Sequence, residues 1–588
     1  MNKKLILTLS LSLLLPLSSC GSSSSSVSSS NNETSSASSS SSFISLKDEG
    51  KITKTINAQA YYNTYEQGTV NIYYFDSVDI PYVNVKEFYE SSFVDYALDH
   101  KDLFTVNNNV VTNKKTNATM TLDSVNDTLT FSDYDMFSNI VGTTTIPNDI
   151  FAIDFTNPEV ISIDESNCSY VSGGEFVIDL KDYETNLISY NNEYYIPFSY
   201  LEVISLSPYY SRYVFNGNDI YNVNLTSTML NSNGELNSYG KAYYSGYYNK
   251  DKQRSEDYAK YFYNSFLFEM ELTSGKLDQY GITNLDAKLD ELGLKSKLLS
   301  TTSSTADNAI GKAINQIFHD GGHTCFNYRG NTVEYNSEIN SKLFSDLTKY
   351  DTKYSKVYDS YVNLGNIRGS LNQNLDVYGS TAIIRFDSFE SSSEKLTLDN
   401  ISSNTSTYAI IYNAFEEIKN NSSITNVVFD LSLNLGGDSS GLACAYSFIS
   451  NEPVTVNITN PVTHSSFKEA VKVDNDLDGD FDDDDSFDGK YNFYVITSPA
   501  SFSCANMFAL LSKDNAKAKV IGTKSSGGDC SVKSGITIDG SSFNMSSTLK
   551  YVSKDGSSAD DGVDLDYTLN SDYYYSPIKL DTYLNSLN

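Results

Sequence analysis

A serine placed where a buried strand turns into a helix is the first residue of this chain that could do covalent chemistry. The run "ITSPASFSCANMFALL" puts Ser503 at such a junction. A helix N-terminus presents free N–H groups and the positive end of the helix dipole, which suits a nucleophile and the oxyanion beside it. By themselves, Ser501 and Ser503 read more simply as helix caps. The neighbouring segments shift that balance. "VVFDLSLNLGGDSSG" (Val427–Gly441) is a hydrophobic strand ending in Asn434, Leu435, Gly436 and Gly437. A Gly-Gly turn after a buried strand lets the backbone approach a ligand closely, so its amides can serve as oxyanion donors. "VIGTKSSGGD" adds a second Gly-Gly turn after another strand. Amide hydrolysis also needs a base, and the chain holds only four histidines: His100, His319, His323 and His464.

In this order, Asp430–Gly437, Ser501–Ala509 and Gly522–Gly528 resemble the C-terminal processing peptidases, or tail-specific proteases, and the core of tricorn protease. The resemblance covers about residues 250 to 588. It implies Ser503 as nucleophile, with an oxyanion hole built from a Gly436 or Gly437 amide and the backbone N–H of Cys504. Tail-specific members use a Ser–Lys dyad, but here the lysine position falls on Gly528, and Lys524 sits four residues early. The tricorn-like branch uses a histidine from a "DGHT"-like motif, which "HDGGHTCF" resembles with one glycine inserted. That makes His323 the leading general base, a side chain that titrates near working pH, with His319 as fallback. The segment "ADDGVDLDYTL" resembles the family's "GVxPD" strand, with Asp566 as its acid. Asp560 and Asp561 stand where the third catalytic residue is expected, and Asp561 is the choice. Cys504 is the competing nucleophile. The resemblance also implies a ClpP/crotonase-like core.

The elements that must position these groups follow from periodicity. Residues 46–235 read as short Tyr- and Val-rich strands between Asn, Asp and Gly turns. Two segments there look alike, Asp79–Ser91 and Tyr194–Ser205, each a strand, a Pro and an amphipathic run. Residues 250–320 switch to three- and four-residue apolar spacing, a helical subdomain. From 321 to 588, strands and helices alternate, as in an α/β domain with a partly parallel sheet. The fold class is therefore multidomain: a β-rich N-terminal region, then a helical subdomain and an α+β/α/β peptidase domain. Only about 55 residues separate His323 from the strand at Thr381, too few for the PDZ module common in the family.

Other features fix the address and the partners. Lys3 and Lys4 precede an apolar run, Leu5 to Leu17, in a signal-peptide layout. "LSSCG" resembles the bacterial lipobox, which makes residues 1–19 a signal peptide and Cys20 the lipidated residue. The serine-rich tract of residues 20–45 cannot bury apolar area and reads as a tether. The expectation is an exported protein anchored to the outer face of the bacterial cell membrane. A net charge of -33 excludes nucleic-acid binding, which needs a basic footprint. The expected partner is a peptide or protein substrate, with no cofactor required. "DNDLDGDFDDDD" places Asp474, Asp476, Asp478, Asp480, Asp482 and Asp485 at the ligand positions of a calcium loop, with Gly479 at the turn. Such a calcium ion would be structural; a merely acidic, solvated loop is the other reading. A Cys504–Cys530 disulfide is open, as are a catalytically silent peptide-binding relative and a surface adhesin or scaffold.

Overall fold

A computed structural model describes residues 50–151, 160–209, 211–223, 229, 236–250, 254–328, 347–371, 373–481 and 486–587. The signal peptide, Cys20 and the serine-rich tether lie outside them.

The C-terminal half is organised by a six-stranded sheet. Its order is Leu375–Tyr378, Thr381–Arg385, Asn426–Asp430, Asn492–Thr497, Lys519–Gly522 and Tyr567–Thr568. All neighbours pair in parallel except the first, an antiparallel edge strand. The sequence "NVVFD" is buried at every position because helices cover both faces, as parallel sheets require. On one face Ala382, Ile384, Val427, Phe429 and Val495 pack against the helices Thr407–Ile418, Ser439–Ser447 and Cys504–Asp514. On the other, Ile383, Val428, Ile496 and Ile521 meet Leu580 and Leu584 of the C-terminal helix Pro577–Asn585. Side chains alternate between the faces with period two, so neighbouring residues of one strand serve two cores.

A second sheet closes this half from the side. Its strands Cys325–Tyr328, Ser542–Val552, Val454–Thr459 and Ser466–Val473 lie in that order, and Cys530–Ile536 also pairs with Ser542–Val552. Strands Ile161–Ile163 and Ser169–Val171 complete its edge. These two come from the 46–235 stretch, which thus contributes strands to a sheet otherwise built from later residues.

The rest of that region holds a seven-stranded sheet and a five-stranded antiparallel meander. The two look-alike segments form matching strand–helix pairs, Tyr82–Asn84 with Val85–Tyr89 and Glu193–Pro197 with Phe198–Ser205. Their strands pair antiparallel. The helix Glu256–Thr273, started by the Ser255 side chain on the Tyr258 N–H, joins the two halves. Its Tyr258, Tyr261 and Phe268 enter the N-terminal core, while Phe262, Phe266 and Met270 enter a helical core with Ile310 and Ile314.

Candidate active site

Ser503 stands on a strained turn. Strand Asn492–Thr497 leads into residues 498–502, whose hydroxyls knot the turn onto the neighbouring strand end. Ser498 Oγ donates to Ser432 O at 2.6 Å and Ser501 Oγ to Leu431 O at 2.7 Å. Ser501 Oγ in turn accepts the Ser498 N–H at 2.9 Å. The hydroxyl of Ser501 is thus spent on the turn itself. Ser503 has φ +53° and ψ −124°, and its side chain makes no capping hydrogen bond although it occupies the N-cap position of Cys504–Asp514. A non-glycine residue at positive φ is costly and persists only when its surroundings impose it. Here the Ser503 N–H donates to Gly527 O at 2.8 Å and the Ser526 N–H to Ser501 O at 3.1 Å, so the second Gly-Gly loop does the imposing.

The first Gly-Gly turn faces the hydroxyl. A Cβ added at Gly436 would lie 2.6 Å from Ser503 Cβ and 3.1 Å from its Oγ, so only glycine lets the backbone come this close. Asn434 shapes the turn by donating to Phe386 O and accepting the Gly436 N–H, each at 2.9 Å. Phe389 forms a parallel bridge to the turn: its N–H donates to Gly436 O and its carbonyl accepts the Asp438 N–H. In that pattern the amide of Gly437 points away from Phe389, and its carbonyl accepts the Cys504 thiol at 3.0 Å. Among the described residues the N–H groups of Gly437 and Cys504 take no hydrogen bond.

His323 lies against Phe502, the residue before Ser503. The two rings meet edge-to-face with centroids 4.7 Å apart. The histidine turn is fixed by Asp320, which accepts the Thr324 N–H at 2.8 Å, the Thr324 hydroxyl at 2.6 Å and the Ser546 hydroxyl at 2.8 Å. His323 is 1% exposed, and among the described residues neither ring nitrogen has a hydrogen-bond partner, so the Ser503 hydroxyl does not rest on it in this conformation. Burial, and next in that direction Lys276, push His323 down to about 4 against the pull of Asp320 and Asp560. The ring is therefore neutral at neutral pH. His319 is exposed at the surface, its backbone N–H on Tyr280.

Near the histidine is a buried charge cluster of which the sequence offered only Asp560. Lys276, wholly buried, reaches Asp529 at 2.6 Å and Asp560 at 3.2 Å. Asp560 also takes Lys353 at 2.9 Å, Gln279 Nε2 at 2.8 Å and the Gly528 N–H at 3.2 Å. Burial alone would raise the Asp560 carboxyl, yet Lys276 and Lys353 hold it well below the usual carboxylate range. Burial alone would lower Lys276, yet Cys530, Asp529 and Asp560 hold it well above its ordinary value. It remains a cation and cannot accept a proton. Asp561, the next residue, is exposed. Asp566 accepts the Val520 N–H at 2.8 Å and anchors the edge strand. Lys524 points outward and pairs with Asp564 at 3.0 Å. Cys504 is buried, and burial, then Asp438, push its thiol up to about 12, far from a thiolate nucleophile. Cys168, Cys325, Cys444, Cys504 and Cys530 are all free thiols, so the open Cys504–Cys530 pairing is not formed.

The acidic loop follows strand Ser466–Val473. Carboxylate oxygens of Asp474, Asp476 and Asp478 lie within 4.8 Å of one another. Asp474, 3% exposed, accepts the Leu477 N–H at 2.7 Å and the Gly479 N–H at 3.0 Å, and Gly479 has φ +97°. Asp480 donates its N–H to Asp478 at 3.0 Å, whereas Asp482 and Asp485 lie outside the described residues.

Ser503 thus sits on a strained strand–helix turn between two glycine loops, with His323 packed against the preceding Phe502. Residues 380–569 match the model of peptidase family S41. Among solved structures, a lipoprotein from Streptococcus agalactiae is similar at 14% identity and a TM-score of 0.34, over 57% of this chain and 96% of that one. The photosystem II D1 C-terminal processing protease is similar at 16% identity and 0.24, over 34% and 46%. Tricorn protease is similar at 16% and 0.22, over 42% and 20%. No curated protein matches the chain.

Proposed function

We propose that the chain is a peptidase that cleaves peptides or unfolded protein segments through Ser503. His323 takes the serine proton as the hydroxyl attacks the scissile carbonyl, and returns it to the leaving amine. The N–H groups of Gly437 and Cys504 hold the oxyanion. Asp560, rather than the exposed Asp561, is the acid whose charge stabilises the imidazolium formed on the way. The observation that carries this reading is the Ser503 turn: the hydroxyl is held at positive φ, does not cap its helix, and is covered by a glycine. Among the described residues neither histidine nitrogen is engaged, and the one that closes onto Ser503 Oγ, approaching to about 3 Å, can take its proton and later deliver it.

A fluorophosphonate probe is expected to label the full chain and not Ser503→Ala, and His323→Ala is expected to lose peptide cleavage. Labelling of neither, with peptide still bound, would make the chain a silent peptide-binding relative. Export and lipidation at Cys20 belong to the same proposal. Cys20→Ala would then move the protein from the membrane fraction to the medium. A calcium ion on Asp474, Asp476 and Asp478 would be structural, since the loop joins two strands and supplies nothing to the reacting groups.

A further inference from the structure

The buried Lys276 belongs to neither the serine turn nor the histidine turn, yet it is fastened to both. It follows helix Glu256–Thr273 and lies outside residues 380–569. The backbone before it is laid on strand Ser542–Val552: Ser274 bridges Ser547 antiparallel, and the Gly275 N–H donates to Ser546 O at 2.9 Å. A Cβ added at Gly275 would lie 2.1 Å from Ser547 O, so only glycine allows that approach. Ser546 also anchors the histidine turn. Its N–H donates to the Thr324 hydroxyl at 3.0 Å, and its own hydroxyl donates to Asp320 at 2.8 Å. The lysine and the histidine are thus registered on one residue of one strand.

The ammonium reaches the other way, into the loop that imposes the Ser503 conformation. Asp529, next to Gly528, takes Lys276 on one oxygen at 2.6 Å and the Ser558 hydroxyl on the other at 2.6 Å, with Lys550 4.0 Å from the latter. Asp560, which holds the Gly528 N–H, takes Lys276 at 3.2 Å. Gln279 completes the set, accepting from Lys276 at 3.0 Å and donating to Asp560 at 2.8 Å. No other lysine or arginine among the described residues pairs with both carboxylates. Without this ammonium, two buried negative charges flank Gly528, and their repulsion in a dry site drives the loop and Asp560 apart. We infer that Lys276 is a positioning residue for the reaction. It holds loop Gly527–Asp529, and through the Gly527 carbonyl the Ser503 turn, in place against the His323 turn.

The inference rests on Ser503 and His323 being the reacting pair, so one readout must not depend on the reaction. The charged groups that face His323 are Asp320, Lys276, Asp560 and Asp529; after burial, Lys276 is the one that pushes the imidazole down. The full chain, Lys276→Met, and Lys276→Met combined with Asp529→Asn are compared in three ways: melting temperature, hydrogen exchange at the Ser503 and Gly528 amides, and the rate of Ser503 labelling by a fluorophosphonate across pH. In Lys276→Met the melting temperature falls, both amides exchange faster, and labelling slows by about 10²-fold. Its acid limb moves up from about 4, because the cation beside the imidazole is gone. The double variant removes one charge of each sign. Its melting temperature returns toward the wild type and its limb toward 4, while exchange stays fast and labelling slow, because the tie itself is missing. A lysine that only neutralised charge would let labelling recover together with the melting temperature. If Lys276→Met does not fold, the double variant carries the exchange and labelling readouts. Wild-type exchange in the variants, wild-type labelling in the double variant, or a limb that stays near 4 in Lys276→Met overturns the proposal. If the wild type takes no label at any pH, the nucleophile assignment fails, while exchange at the two amides still decides the tie.

Discussion

Two adjacent aspartates in one turn differ in everything that matters to chemistry. Asp560 is buried against two lysines and the Gly528 amide, and Asp561 faces water. Asp560→Asn leaves Lys276 under-compensated in a dry site, where breaking a buried pair costs about 3–5 kcal/mol. A drop in melting temperature together with slower fluorophosphonate labelling is expected, whereas Asp561→Asn should leave stability within about 0.5 kcal/mol. The sequence could narrow the acid to this pair and no further, because burial is decided by what packs on the turn from elsewhere. Lys276 lay beyond reach for the same reason: it follows a helix in "LTSGKLDQY" and meets its carboxylates only through the fold. The neutral state of His323 sets the acid limb. Its value falls from 6.5 to about 4 in the folded protein, so the stability it contributes is present above 6.5 and lost as pH falls toward 4. The acid limb of kcat/KM is expected near pH 4 rather than near 6.5; a limb at 6.5 would mean that the working base is solvated.

At the scale of elements, the glycine turns are the parts whose spacing was legible. Strand, Gly-Gly turn, strand, serine, helix, strand and Gly-Gly loop follow one another in the chain as they do around the site, because a parallel sheet built by short crossovers keeps sequence order in space. Gly436→Ala forces a Cβ against Ser503 at a backbone φ of +111°. Labelling and cleavage should fall together, by about 10²–10³ if one oxyanion donor is displaced. The acidic loop was also legible, since a regular alternation of aspartates around a glycine needs no tertiary information. Chelation by EDTA should lower the melting temperature and calcium restore it, and Asp474→Asn should remove the effect. An unaltered melting curve would leave the loop as a solvated acidic turn.

Across the whole molecule, the N-terminal region and the catalytic half share cores rather than abut. Strands Ile161–Ile163 and Ser169–Val171 pair with Ser466–Val473, some three hundred residues later, a pairing that no local pattern announces. Helix Glu256–Thr273 is amphipathic on two sides for two partners, which is why its spacing said helix but not which core it served. A chain beginning at residue 250 would expose Tyr258, Tyr261 and Phe268, at about 1.5–3 kcal/mol of lost burial for each side chain, and leave an open sheet edge. Such a fragment is expected to aggregate or to lose its cooperative melt by differential scanning calorimetry.

The five free thiols carry a practical consequence. Cys444 and Cys504 are buried and, like Cys325, are pushed up to about 12; burial also pushes Cys530 well above its ordinary value, and Cys168 is raised as well. Alkylating reagents attack the thiolate, so the intact fold protects all five sulfurs electronically and the buried Cys444, Cys504 and Cys530 sterically as well. Each cysteine is thereby a built-in clock for the opening of its own neighbourhood: Cys504 for the serine turn, Cys325 for the histidine turn, Cys168 for the edge of the second sheet. Residue-resolved alkylation over time would read, in one experiment, the order in which those three regions come apart.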